Sequence, residues 1–172
     1  FNMTGQFEDV NVLGLEPYEN LTNCTAAPYA SYLLKKENMT DMDLQNAKDL
    51  IRMSEDQFTF WDIVPNDHGV KRFAAPCVVE QYKYWTPVDA SAHNVSMAFL
   101  DLYEATGDQL AFAKAKALID NMTVVQNKCS GQMPTTWDLR SPRSEVNRTF
   151  WANCTWSSVT ALLRMAELTG QE

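Results

Sequence analysis

Between residues 92 and 126 the chain passes from a segment that is apolar on every side to one that is apolar on one side only, with Thr106-Gly107-Asp108 between them. In the first segment Val95, Met97, Ala98, Phe99, Leu100, Leu102 and Tyr103 cover nearly the whole circumference of a helix. A helix that is apolar all round is a buried one. In the second, Phe112, Ala115, Ile119 and Met122 recur at steps of three and four among lysines and acids, which is the pattern of a half-exposed helix. Gly107 supplies the left-handed position that ends the first helix, and Asp108 is placed to cap the second. One buried and one amphipathic helix joined this tightly make an αα-hairpin.

The unit recurs. Ala47-Lys48-x-Leu50-Ile51 matches Ala115-Lys116-x-Leu118-Ile119 at an offset of 68, and Tyr103-Glu104-Ala105-Thr106-Gly107 matches Ala166-Glu167-Leu168-Thr169-Gly170 at an offset of 63. Asn23-Cys24-Thr25 and Asn153-Cys154-Thr155 both stand where an apolar helix starts. Self-similarity at this period, with buried and exposed helices alternating, is the mark of stacked hairpins. The predicted fold is therefore all-α, with αα-hairpin repeats forming an arc or partial toroid.

Residues 1–22 read as an irregular lead-in and 23–172 as the hairpin domain. Helices are predicted over 25–36 (buried), 42–60 (amphipathic), the hairpin 91–126, and 155–168 (buried), about five helices or two and a half hairpins. The buried-to-exposed turns are short, whereas the connections 62–88 and 127–150 exceed 20 residues and should emerge at one end of the stack. Within the first, residues 77–82 suit either a short strand or a helical turn. Long connections in compact domains are usually functional.

Bulk properties remove several classes. The net charge of -8 disfavours nucleic acid, which needs a basic face. No run of about 20 apolar residues exists to span a membrane. Cys24, Cys77, Cys129 and Cys154 show no zinc spacing, and the only histidines are His68 and His93, so neither a metal nor a cofactor is expected. The thiols suit either disulfides or a helical core. No signal peptide is expected within the sequence, and an opening at Phe1 without Met fits a processed chain or a piece of a longer one. Eight of the twelve asparagines begin an Asn-x-Ser/Thr triplet, where random placement of 23 Ser and Thr gives about 1.6. Export from the cytoplasm explains that excess; so does the use of Asn, Ser and Thr as helix caps.

All five tryptophans fall in the long connections or at the starts of the helices they feed: Trp61, Trp85, Trp137, Trp151 and Trp156. Tyr82, Tyr84, His93 and Asn153 join them. Indoles on one rim, interleaved with carboxylates and amides, suit a pocket for sugar rings, where apolar faces stack and polar groups take the hydroxyls. The expected substrate-binding set is Tyr82, Tyr84, Trp85, His93, Trp137, Trp151, Asn153 and Trp156. Glycosidic cleavage needs paired carboxylates, and Glu80, Asp89 and Asp138 flank the aromatic runs. Asp89 is equally placed to cap the buried helix.

The segments LYEATGDQLAFAKAKALIDNMTVVQ, GQMPTTWDLR and FWANCTWSSVTALLRMAELTG resemble the helical hairpins of the six-hairpin glycosidase superfamily, the (α/α)6 toroids, over residues 24–170. The resemblance implies a glycoside hydrolase, or a related polysaccharide lyase or sugar epimerase, working on an oligo- or polysaccharide outside the cytoplasm. Its motifs are structural, so no catalytic residue is carried over. Two and a half hairpins do not close a six-hairpin ring, which implies the C-terminal part of a larger toroid, with the remainder or a second copy as partner. A carbohydrate-binding or scaffold module and a helical-repeat interaction protein are the alternatives. The enzyme requires two carboxylates about 5 to 10 Å apart across a pocket.

Overall fold

The structure, a computed structural model, describes residues 23–61, 76–81, 84–127, 130–136 and 151–170. The lead-in 1–22 lies outside them. Five helices carry the described chain: α1 (Asn23–Leu34), α2 (Asp41–Phe58), α3 (Asp89–Thr106), α4 (Gln109–Val125) and α5 (Ala152–Thr169). No helix of the described chain is long and apolar enough to cross a membrane.

The turns between paired helices follow from local chemistry. Gly107 ends α3 at φ 76, and its N–H returns to the Tyr103 carbonyl at 2.7 Å. Asp108 then accepts from the N–H groups of Leu110 and Ala111, satisfying two donors that α4 would otherwise leave open. Gly170 ends α5 in the same left-handed conformation, at φ 65. Thr40 opens α2 through a capping box with Asp43. Lys36, hydrogen-bonded to Asp43 at 2.7 Å, and Thr40 together hold that carboxyl down at about 2.

Helix α3 is the centre of the packing, touching α1, α2, α4, α5 and strand β2. Val95, Ala98, Phe99, Leu100 and Leu102 are all buried, as the all-round apolar pattern predicts. Each large side chain so buried contributes about 1.5–3 kcal/mol. Helices α1 and α2 pack as one pair and α3 and α4 as another, with α1 and α5 both against α3. The ring of His93 in the first turns of α3 bonds the Ser157 carbonyl early in α5, and Glu104 near the end of α3 pairs with Arg164 late in α5, so the two helices run parallel.

The fold is predominantly helical, in line with the all-α expectation, and carries one small antiparallel sheet at the first long connection, in the order β1 (Thr59–Phe60), β2 (Cys77–Gln81), β3 (Tyr84–Pro87). Thr59 pairs with Val78 and Phe60 with Cys77, while Val79 faces Pro87 across a register shift. Val78 and Val79 are both buried and β-branched, which settles this stretch as a strand. Two expectations are corrected. First, neither α1 nor α5 is fully buried. Tyr29 and Tyr32 are exposed on α1, and Trp156, Val159 and Leu163 are exposed on α5. Finally, α1 runs two residues earlier than predicted at both ends, and α3 begins at Asp89 with Val88 in the cap position, so Asp89 does not cap it.

Cys77 and Cys154 are both buried, and burial pushes the Cys77 thiol up to about 12. Among the Asn-x-Ser/Thr triplets, Asn38 and Asn153 are exposed, whereas Asn121 is buried within α4. A glycan has no room at Asn121.

Candidate functional site

The two long connections meet where α3 and α5 begin. Strand β3 runs into α3 through Val88, whose N–H donates to the Val78 carbonyl at 2.9 Å and which forms an antiparallel bridge with Thr136 of the second connection. Thr136 lies in the run 130–136, and two hydroxyls fasten that run to α5. The Met133 N–H donates to Thr155 Oγ1 at 3.2 Å, and the Trp151 N–H donates to Thr135 Oγ1 at 2.8 Å. Buried Val88, Met133 and Thr135 make the junction a packed one. The expected convergence of the connections at one end is thus a direct backbone contact.

At this end Glu80 is buried on β2, an acid one residue past the Val79–Pro87 pairing. His93 is half-buried between α3 and α5. Trp151 occupies the cap position of α5 with its side chain 58% exposed, Asn153 is exposed in the first turn, and Trp156 is 73% exposed. Tyr84 and Trp85 are placed by the backbone of β3, and Asp89 is the first residue of α3. Tyr82, Trp137 and Asp138 lie outside the described residues. Of the three candidate carboxylates, Glu80 alone has a described side chain, and it is the one raised on a strand.

Trp61 departs from the expected rim. It folds back onto Phe99 of α3 with ring centroids 6.1 Å apart, and its indole N–H donates to Glu55 at 2.9 Å. Lys114 of α4 also pairs with Glu55 and stands over both rings. A groove of about 320 Å³ runs beside this cluster between α2 and α4, with Lys48, Arg52 and Asp108 on its walls. Its central cation is already neutralised, so Trp61 serves packing here. The residues that sequence reasoning missed, Thr135 and Thr155, had no spacing signal, because their partners are 16 and 22 residues away.

The His93 ring bonds the Ser157 carbonyl, and its Nδ1 is buried without a partner. Burial lowers the imidazole pKa, and the Ser157 carbonyl opposes this in part. Protonation would place a charge and a second donor where nothing accepts it. The folded chain therefore binds the His93 proton less readily than the unfolded chain. Stability should be fully present above about pH 6.5 and fall as the pH drops through that value. Urea melts at stepped pH check this, and His93→Gln should flatten the slope in that window.

No protein-family model, curated protein or solved structure matches the chain.

Proposed function

We propose that the chain is part of a carbohydrate-active enzyme of the six-hairpin glycosidase type, a glycoside hydrolase acting on an oligo- or polysaccharide outside the cytoplasm. The observation that carries the reading is the clustering at one end of the helices. Two exposed indoles, Trp151 and Trp156, stand at the start of α5; the Trp151 N–H bonds Thr135 next to the Val88–Thr136 bridge, and Glu80 is buried on β2, the strand that Val88 also bonds. Exposed indoles give apolar faces for sugar rings to stack on. A carboxyl held among packed strands suits proton transfer to a leaving oxygen. Trp85 of β3 and Asp138 are the sequence's candidates for a further stacking ring and a second carboxylate. The helix pairs α1–α2 and α3–α4, with α5 beside α3, are read as an arc of the toroid.

Isothermal titration with a panel of oligosaccharides, paired with a reducing-sugar assay, tests this. Trp151→Ala should weaken binding about tenfold, equal to about 1.4 kcal/mol, while leaving the melting temperature within a degree or two, since the indole is mostly in water. Glu80→Gln should lower turnover by at least about a hundredfold without a matching loss of affinity. Sugar affinity unchanged in Trp151→Ala would remove the pocket. Binding without turnover in the parent chain would favour the carbohydrate-binding module instead.

A further inference from the structure

Helix capping is one of two explanations for the excess of Asn-x-Ser/Thr triplets, and the helix ends test it residue by residue. The cap positions of α2, α3, α4 and α5 are held by Thr40, Val88, Asp108 and Trp151. None of them is an asparagine. Asn94, Asn121 and Asn153 lie within α3, α4 and α5, where asparagine is a poor helix former. Capping therefore does not account for the asparagines of these triplets.

Asn38 is placed differently from the others. Its triplet, Asn38-Met39-Thr40, is the only one among the described residues that stands outside a helix, in the turn between α1 and α2. Asn38 is exposed, and it makes no hydrogen bond or ion pair among the described residues. The capping box of α2 uses Thr40 and Asp43 and leaves Asn38 out. Lys36 reaches Asp43 at 2.7 Å, so the turn is tied on both sides of Asn38 while its amide stays in water. Asn153 is exposed as well, but the rest of its triplet is built into the fold: Cys154 is buried, and Thr155 Oγ1 accepts the Met133 N–H. Asn94 is half-buried and Asn121 is 5% exposed.

We propose that Asn38 is an N-glycosylation site, taking an oligosaccharide from an isoprenoid-pyrophosphate donor, and that Asn121 stays bare. In the transfer Asn38 Nδ2 bonds C1 of the first sugar as the C1–O bond to the pyrophosphate breaks. The lipid pyrophosphate leaves with that electron pair, and one amide proton passes to the transferase's base. A glycan is bulky and hydrated, and its motif belongs on a surface loop. The α1–α2 turn meets that requirement and needs no rearrangement of a helix. The proposal rests on the placement outside the cytoplasm and not on sugar hydrolysis.

Expression of the full chain in a eukaryotic secretory host, behind a cleavable leader, tests it, with protein recovered from cells and medium together. Peptide-N-glycosidase should lower the mass of the chain and convert Asn38 to aspartate in most copies, read by mass spectrometry of its peptides. The peptide carrying Asn121 should be unchanged. Asn38→Gln should lose this glycan and melt with the deglycosylated parent. Two variants at Thr40 separate the triplet from the cap, and circular dichroism confirms the fold of each. Serine serves both roles, so Thr40→Ser should keep the glycan; Thr40→Asn keeps a good capping residue, breaks the triplet and should lose the glycan. A parent chain with Asn38 unmodified overturns the proposal and leaves the glycoside hydrolase reading standing. So does a glycan on Asn38 that survives Thr40→Asn, and so does equal modification of Asn121, since burial would then not decide the acceptor.

Discussion

Replacing Leu100 by alanine should lower the free energy of unfolding by about 2–5 kcal/mol, seen as a lower urea midpoint at unchanged slope. Leu100 is wholly buried in the middle of α3, the helix that touches every other helix. A cavity there is walled by several elements, and none can move in to fill it without leaving another contact. The loss should therefore lie in the upper part of the range. The control is Leu163→Ala, 63 residues further on in α5, where the side chain is 60% exposed. That substitution should change stability by no more than about 0.5 kcal/mol. Equal losses at the two sites would mean that Leu163 is covered as deeply as the heart of α3.

The contrast between these two leucines also shows what could be read before the structure. Helix type and pairing were legible because they rest on neighbours in sequence. Thr106-Gly107-Asp108 needs nothing beyond its own chemistry to end one helix and cap the next, and the structure gives φ 76 and both cap bonds. The sheet was not legible as a whole, because Phe60 pairs with Cys77 across a long connection. Nor was the exposure of α5. An apolar face is the same string of residues whether or not a neighbour covers it, and Leu163 is as greasy as Leu100. At the candidate site the meeting of the two connections was predicted from their lengths alone, and Val88–Thr136 realises it. Trp61 was misplaced because an indole that stacks on Phe99 and one that lines a rim look alike in sequence. Asp89 was read as the cap one residue too far along, since Val88 takes that position with extended backbone and no side-chain bond.

Removing Lys35 should cost about 3 kcal/mol, because it strips the partner from a carboxylate that has almost no access to water. Asp101 sits on the buried side of α3 with its side chain 1% exposed, and the Lys35 ammonium lies 2.9 Å from Oδ2. The contact is ionic, since neither oxygen of Asp101 accepts a directed hydrogen bond. Arg164 feels the same charge from α5. The pair is lopsided, with Lys35 more than half in water. Deleting the lysine leaves a buried charge without its cation, whereas deleting the acid leaves a cation that water can solvate. Lys35→Ala should thus be worse than Asp101→Leu, and Lys35→Met combined with Asp101→Leu should come within about 1 kcal/mol of the parent. Urea titrations of the three variants give the ordering directly. If Asp101→Leu proved the more damaging, Arg164 rather than Lys35 would be the cation that matters, and the acid would be a brace between α3 and α5 instead of between α1 and α3.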